Sequence, residues 1–233
     1  MLASRAELPL IVQRPLRGPR GQAVVALLTP AGALFDGDVV DLDVECEPGS
    51  DVTLTTAAAT KLNRCDGSDG IEVHMRVRVA DGATFRYLPH ELIPFAGARY
   101  RQHIDVEVEP GGAVALLEVV GPGASRAPFA YAALGFSTTV RVAGALKVRE
   151  RFVLTPRTVR QFGEWTHYGS LLAIGLPTGG PLECERDMQL RESELPGGGG
   201  VVFKTLGHSA HTIRTTLVGR LCHADWLDAL LPD

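Results

Sequence analysis

One phrase, two short strands joined by a glycine turn, occurs three times in the first half of the chain. In each copy apolar and polar residues alternate, which is typical of a strand with one buried face, and Pro-Gly or Asp-Gly marks the turn. The copies are VDLDVECEPGSDVTLTTAAAT (40–60), IEVHMRVRVADGATFRYLP (71–89) and HIDVEVEPGGAVALLEVV (103–120). Their turn glycines, Gly49, Gly82 and Gly111, fall 33 and 29 residues apart. A period of this size predicts stacked rungs, each of which needs its neighbours to bury its apolar face.

The strand pattern continues beyond the repeats. Residues 135–156 are rich in β-branched residues and resemble two strands joined by a turn at Ala143-Gly144. Residues 170–176 form a short apolar run that is typical of a buried strand. The four glycines at 197–200 lead into Val201 and indicate a loop or a hairpin tip rather than a phosphate-binding loop, which would need Lys-Ser/Thr at the start of a helix.

A single helix is predicted at the end of the chain, with Ser209 as its N-cap and Ile213, Leu217 and Leu221 on one apolar side. The predicted fold is therefore mainly β, a stacked-rung, β-helical (solenoid-like) architecture with one C-terminal α-helix. An antiparallel β-sandwich with regular hairpins would give a similar pattern and remains the alternative. We expect one domain over residues 1–233, with an N-terminal segment (1–28), a strand-rich body (29–206) and a C-terminal helical region (209–231).

Outward-facing residues of the repeats form rows of charge. The rows are Asp41, Asp43, Glu45 and Glu47 in the first repeat, Glu72, His74, Arg76 and Arg78 in the second, and Asp105, Glu107 and Glu109 in the third. If the strands stack in chain order, a mainly basic row lies between two acidic rows, and each cross-strand pair of opposite charge contributes roughly 0.2–1 kcal/mol. This favours a solvated, ion-paired face. The alternative is an acidic lining that holds or passes a cation.

Charge and composition narrow the function classes. A formal net charge of −4 over 233 residues gives no electrostatic reason to expect a nucleic-acid or anionic-membrane partner. The N-terminal stretch is interrupted by Arg5, Glu7 and Pro9, unlike a signal peptide, and no segment reaches the roughly 18 apolar residues of a membrane span. We expect a cytoplasmic protein with reduced thiols. The four cysteines form no CxxC pair and are Cys46, Cys65, Cys184 and Cys222.

The stretch YLPHELIPFAGARY places His90 beside Glu91 and raises the question of an active site. A zinc-protease helix needs His-Glu-x-x-His, but Pro94 occupies the fifth position, so no helix presents two ligands. A cupin-type β-barrel metalloenzyme could recruit His74, His90, Glu91 and His103, although the closely spaced His-x-His of cupins is missing. A Gly-x-Ser-x-Gly nucleophile elbow is also missing. The sequence predicts no catalytic constellation, and the cupin-like enzyme is kept as the alternative function.

Several phrases together resemble the urease accessory protein D family, also called H in some systems. TPAGALFDGDVVDLDVECEPGSDVTLTTAAATKLNR (29–64) resembles that family's Gly-Asp, strand, Pro-Gly turn and Thr-Thr-x-Ala-Ala-Thr-Lys. YLPHE matches its aromatic-Leu-Pro-(Gln or His)-Glu phrase, while HYGSLLAIG (167–175) and KTLGHSAHTIRTTL (204–217) resemble its later strand and its C-terminal helix. The motif residues, interpreted as structural, are Gly37, Asp38, Thr55, Thr56, Ala59, Thr60, Lys61, Pro89, Glu91 and Gly97.

The resemblance implies a non-enzymatic role and a β-helical fold with a little α-helix. Proteins of this family act as cytoplasmic scaffold chaperones that bind the urease apoprotein and the F accessory protein, which recruits the G accessory GTPase. GTP hydrolysis by that partner drives nickel delivery to urease, and we expect the assembled complex to homodimerise. This chain would then hold no cofactor firmly and would contact nickel transiently.

We interpret His90 and Glu91 as a fixed corner between rungs, because the flanking prolines restrict the backbone. A second hypothesis makes them part of a nickel route, with Asp41, Asp43 and Glu45 as further weak candidates, because carboxylates can ligate a divalent ion.

Two departures from the family pattern are expected to matter. The family's further N-terminal strands have no counterpart before PLIVQRP, and GPGASRAPF (121–129) lacks the Arg and Glu of the family phrase Gly-Arg-x-x-x-Gly-Glu-x-Phe. If that loop touches a partner, we expect the affinity or the choice of partner to differ.

Overall fold

The structure of the chain is a computed structural model that describes residues 7–67, 69–123, 128–179 and 187–221. Within these residues the chain forms β-strands, a 3₁₀-helix (Thr158–Phe162) and an α-helix, α1 (Ala210–Val218). The strands of the first half are β1 (Ile11–Val12), β2 (Leu16–Arg17), β3 (Ala23–Leu28), β4 (Val39–Cys46), β5 (Asp51–Thr56), β6 (Thr60–Leu62), β7 (Ile71–Val79), β8 (Thr84–Tyr87) and β9 (Leu92–Pro94). Those of the second half are β10 (Arg99–Val108), β11 (Ala113–Val120), β12 (Ala133–Val142), β13 (Ala145–Leu154), β14 (His167–Ile174), β15 (Met188–Glu194) and β16 (Gly200–Gly207).

Successive repeats lie on one another as rungs of a parallel β-solenoid of about four turns. In the sheet that we call the large sheet, β3, β5, β8 and β11 pair in parallel. In the small sheet β4, β7, β10 and β12 do the same. The short strands β6 and β9 form a third side. The stacked-rung prediction is confirmed, and the antiparallel sandwich is wrong for these strands because the neighbouring rungs pair in parallel.

Glycines make the turns that carry the chain from the small sheet to the large sheet within each rung. Gly49, Gly82 and Gly111 have φ angles of 70°, 66° and 81°, a region in which residues with a Cβ are strained. The turns also stack, since the Gly49 amide donates to the Asp81 carbonyl at 3.2 Å. A Cβ on Gly111 would collide with the Asp81 carboxylate. The period seen in the sequence therefore reflects a column of turns.

Antiparallel strands extend both sheets after the fourth rung. β13 forms a hairpin with β12, and β14 pairs with β11 and β16, which in turn pairs with β15. Gly197, Gly198 and Gly199 lie between β15 and β16, and Gly200 begins β16, so the predicted hairpin tip is confirmed. At the other end the strands begin earlier than expected, because β1, β2 and β3 all lie within the predicted N-terminal segment, residues 1–28.

The helix packs against the outer face of the large sheet. The Ser209 hydroxyl accepts a hydrogen bond from the Thr212 amide at 3.2 Å, which confirms the predicted N-cap. Ile213 and Leu217 are fully buried in one apolar cluster with Leu117, so the predicted core packing is also correct. The helix is shorter than the predicted helical region (209–231), since α1 ends at Val218 although the structure describes the chain to residue 221. Leu221 instead forms a β-bridge with Thr178, and residues 222–231 lie outside the described residues.

The apolar core fills the space between the two sheets and the space under the helix. Two interior clusters contain the inward-facing residues of the rungs, and a third lies between the large sheet and α1. Over the part of the chain that the structure describes, no helix is both long and apolar enough to cross a membrane.

Candidate functional site

The His90–Glu91 corner connects β8 to β9 and is held by the rung below it. The His90 amide donates to the Thr56 hydroxyl at 2.9 Å, and the Glu91 carbonyl accepts from the Thr60 amide at 2.9 Å. The Thr55 hydroxyl donates to the buried Leu88 carbonyl at 2.7 Å. The Thr-Thr phrase of one rung thus positions the Leu-Pro-His-Glu phrase of the next, so both phrases have a structural role in stacking the rungs.

The other motif residues lie on the same side of the solenoid, where each rung bends. Gly37 has a φ of 86° and donates to the Gly70 carbonyl at 2.8 Å, and the Asp38 carboxylate accepts from the Phe35 amide at 2.7 Å. Gly97 has a φ of 77° and donates to the Ala130 carbonyl at 2.9 Å. Of the remaining motif residues, Lys61 accepts a hydrogen bond at its carbonyl from the Leu34 amide. Ala59 directly precedes β6, and Pro89 is buried.

The structure brings Glu91 near His167, a histidine that the sequence analysis did not connect with it. Burial lowers the pKa of His167, the charge of Glu91 opposes that shift, and His208 adds to it. The ring of His208 lies 4.7 Å from that of Trp165, and the Thr166 hydroxyl lies 2.8 Å from His167 Nδ1. Glu91 therefore lies within electrostatic reach of His167, which in turn interacts with His208.

The acidic row on β4 is ion-paired in the way that the charge pattern predicts. Arg76 Nε donates to Asp43 at 2.6 Å and Arg76 also lies 3.5 Å from Asp41, while Arg78 donates to Glu45 at 3.0 Å. The side-chain exposure of the three acids is 55–73%. The solvated, ion-paired face is confirmed, and arginine rather than an open coordination position faces each acid.

The residues of the cupin alternative do not converge. His74 and His103 stack on the outer face of the small sheet, with ring centroids 5.3 Å apart, whereas His90 and Glu91 lie at the corner between β8 and β9. Among the described residues no group of three or more His, Cys, Asp or Glu side chains could hold a metal ion. A parallel solenoid is also not a cupin barrel.

Two of the cysteines are buried thiols. Burial raises the pKa of Cys46 to about 11, and burial is also the main cause that raises the pKa of Cys65. Both shifts disfavour the thiolate, which is the reactive form. Cys184 and Cys222 lie outside the described residues, as does part of the divergent 121–129 loop.

A polar network in the interior was missed by the sequence analysis. Glu118 lies on β11 in line with the inward-facing residues Val114 and Leu116, and it accepts a hydrogen bond from the Gln102 amide. The Gln102 carbonyl accepts in turn from the Tyr100 hydroxyl at 2.8 Å. A single Glu at an inward position of ALLEVV was the available signal, but its partners come from distant strands.

Lys204 of β16 is the cation of this network. It pairs with Glu150 of β13 and donates to the Tyr168 hydroxyl at 3.0 Å. Burial alone would lower the pKa of Lys204, but Tyr168 and Glu150 outweigh it and raise that pKa. Burial raises the pKa of Tyr168 to about 12. The lysine therefore stays charged and links the two sheets.

The pKa of Glu118 is raised to about 7, first by burial and then by the negative charge of Glu150. Lys204 and the Gln102 hydrogen bond oppose this shift without cancelling it. Burial likewise raises the pKa of Tyr87 and Tyr100, with the charge of Glu118 as a further cause. The interior thus contains a carboxyl group that is poised to change charge near neutral pH.

Fold and site together define a parallel β-solenoid protein with a motif-built corner and a buried polar network. A family model described as UreD urease accessory protein matches residues 1–227. The chain belongs to the UreD urease accessory protein family.

Relatives in several organisms share this similarity. The UreD urease accessory protein of Chromohalobacter salexigens is 36% identical over 194 residues, covering 76% of this chain and 62% of the relative. That of Actinomyces naeslundii is 33% identical over 224 residues, covering 90% and 82%. That of Deinococcus radiodurans is 32% identical over 123 residues, covering 53% and 44%. The matched part thus spans less than two thirds of two of these relatives.

Proposed function

We propose that this protein is a urease maturation factor without catalytic activity of its own. It acts as a scaffold that binds the urease apoprotein and the F accessory protein, and it reaches the G accessory GTPase through F. Nickel is inserted into urease while the G partner hydrolyses GTP. The observation that carries this proposal is the family match over residues 1–227. A stacked solenoid supports it, since such folds offer extended faces to protein partners.

The binding part of the proposal is tested by co-purification. An affinity-tagged chain is co-expressed with the urease apoprotein, the F protein and the G GTPase of the same urease system. We expect urease subunits and F to be retained, and G to be retained only when F is present. Retention of G without F would contradict the proposed order of contacts, and retention of none of them would contradict the scaffold role.

Nickel, as the cargo, is proposed to pass the Glu91 corner with His90 and the neighbouring His167 and His208. Imidazole and carboxylate are both suitable nickel ligands. The outer acids Asp41, Asp43 and Glu45 are the second candidates, and they are less favoured because their carboxylates hold arginines.

The test is urease activation by Glu91→Gln, which removes the charge and keeps the shape. We expect reduced activation at limiting nickel and partial recovery at high nickel. Glu192→Gln on β15, an exposed acid outside the corner, is the matched control. Normal activation by the Glu91 variant at limiting nickel would contradict this nickel route.

We further propose that the chain works as a single domain in the cytoplasm, and that the complex homodimerises. Light scattering of the purified complex tests the last point. A mass corresponding to two copies of each subunit is expected, and a mass of one copy would contradict it.

A further inference from the structure

The outer face of the small sheet has a groove over Gly135. In the strand register, Gly135 of β12 lies between Arg101 of β10 and Val153 of β13, so one row of side chains has a gap. A Cβ placed on Gly135 would meet nothing closer than the Tyr100 carbonyl oxygen at 3.7 Å, which shows that the gap is open. The resulting groove, which we call the Gly135 groove, has a volume of about 230 Å³.

The lining of the Gly135 groove is apolar on its floor and mainly basic on its rim. Arg99, Arg101 and Arg151 supply the cationic groups, Asp69 is the acidic residue of the lining, and Gly135 and Val153 lie in the gap. Val153 is 45% exposed, which is unusual for a large apolar side chain on a solvated sheet face. The groove thus has one free apolar contact surface and several cationic groups around it.

Two of the arginines on this edge have no acidic partner among the residues that the structure describes. Arg149 and Arg151 are exposed on β13, and within those residues neither side chain makes an ion pair or a hydrogen bond. Their cross-strand neighbours on β12 are Thr139 and Ser137, which carry no charge. Elsewhere on the small sheet the charges alternate from strand to strand and pair, as Arg76 does with Asp43. In the described part of the sheet, the basic row of β13 is therefore left without the acidic row that would complete the alternation.

We propose that the Gly135 groove binds an acidic segment of a partner protein. An apolar side chain of the segment fills the gap over Gly135 and contacts Val153. On one side of this anchor, successive carboxylates of the segment pair with Arg151 and then with Arg149. This surface is separate from the Glu91 corner, and the proposal goes beyond the scaffold role by naming a surface and the chemistry of its partner.

Size and charge favour a protein segment over other ligands. A volume of about 230 Å³ is below the ~300–1,000 Å³ typical of small-molecule sites and suits one anchoring side chain. A nucleic-acid strand needs a continuous basic track, but Glu72 already holds Arg101, and Asp105 lies opposite Thr139 on β10. Those carboxylates would repel a phosphate backbone that crosses the sheet. A short acidic segment that follows the β13 edge avoids them, because β12 separates β13 from β10.

The test uses a fluorescein-labelled probe peptide, Glu-Asp-Glu-Trp-Glu-Asp-Glu, and fluorescence anisotropy with the full-length protein. Gly135→Leu fills the groove at a position with open space, and we expect about tenfold weaker binding. Arg151→Glu removes a cation, and we expect a similar loss together with a weaker dependence on salt. Ala145→Leu and Arg157→Glu are the matched controls, because both positions are exposed and outside the groove lining.

Circular dichroism and thermal unfolding establish that each variant is folded. The proposal is supported if both groove variants lose binding and both controls keep it. It is overturned if the wild-type protein does not bind the peptide, or if Gly135→Leu binds it as tightly as the wild type. Tighter binding of a single-stranded oligonucleotide than of the peptide would also overturn it.

Discussion

Replacing Glu118 by Gln should stabilise the protein at alkaline pH and have little effect in acid. The pKa of this carboxyl rises from 4.5 to about 7 in the folded chain. The folded state therefore binds the proton more tightly than the unfolded state between these two values. Stability falls as the pH rises through this window, because the unfolded chain releases the proton while the folded chain still holds it.

The size of the effect follows from the pKa shift. A shift of one pKa unit corresponds to about 1.4 kcal/mol. At pH values above the folded pKa, the rise to about 7 therefore destabilises the folded chain by at most about 3 kcal/mol. At pH 5 most of this cost is absent, because the carboxyl of the unfolded chain has only begun to release its proton. In the Glu118→Gln variant, the carbonyl of the new side-chain amide can still accept the Gln102 hydrogen bond. We expect the variant to gain about 1–3 kcal/mol relative to wild type between pH 5 and pH 8.

Urea unfolding at pH 5, 6, 7 and 8 measures this difference. Glu192→Gln, at an exposed position on β15, is the control and should change stability by less than about 0.5 kcal/mol at each pH. A Glu118 variant that is less stable than wild type at pH 8 would refute the reasoning. So would a stability difference that does not change with pH.

Two further predictions concern packing on the large sheet. Thr55→Val should lower the free energy of unfolding by about 1–3 kcal/mol, because the Thr55 hydroxyl donates to a buried carbonyl. Thr53→Val should leave it unchanged or raise it, because the buried Thr53 hydroxyl makes no hydrogen bond to any described residue. Urea unfolding of both variants decides this, and equal losses would contradict it. Gly169→Ala should cost about 1–3 kcal/mol by overpacking, since the new Cβ would lie 2.7 Å from Thr205 and closer still to Ile213 of the helix. An unchanged melting temperature would contradict that packing.

Local sequence signals were sufficient for the solenoid itself. The glycine turns and strict alternation mark each rung, and the complementary charges of Asp43 and Arg76 indicate which strands are neighbours. These features are local or repeat at a fixed period, so they can be recognised without knowing the fold. The corner strands β6 and β9 were not predicted, because each has only three residues, too few to show an alternation of apolar and polar side chains.

The interior network could not be predicted in the same way. Glu118 and Lys204 lie on strands separated by β14, and they approach each other because antiparallel pairing sets the register. A one-residue change of register would move either side chain to the opposite face. The grouping of Glu91 with His167 and His208 has the same origin, because β14 and β16 return to the corner from far along the chain. Such contacts depend on the complete topology.

The most direct measurement is urease activity in cells that express the apoenzyme, the other accessory proteins and nickel, with and without this chain. A maturation scaffold predicts activity when the chain is present and little activity when it is omitted. Equal activity in both cultures would contradict the proposed function.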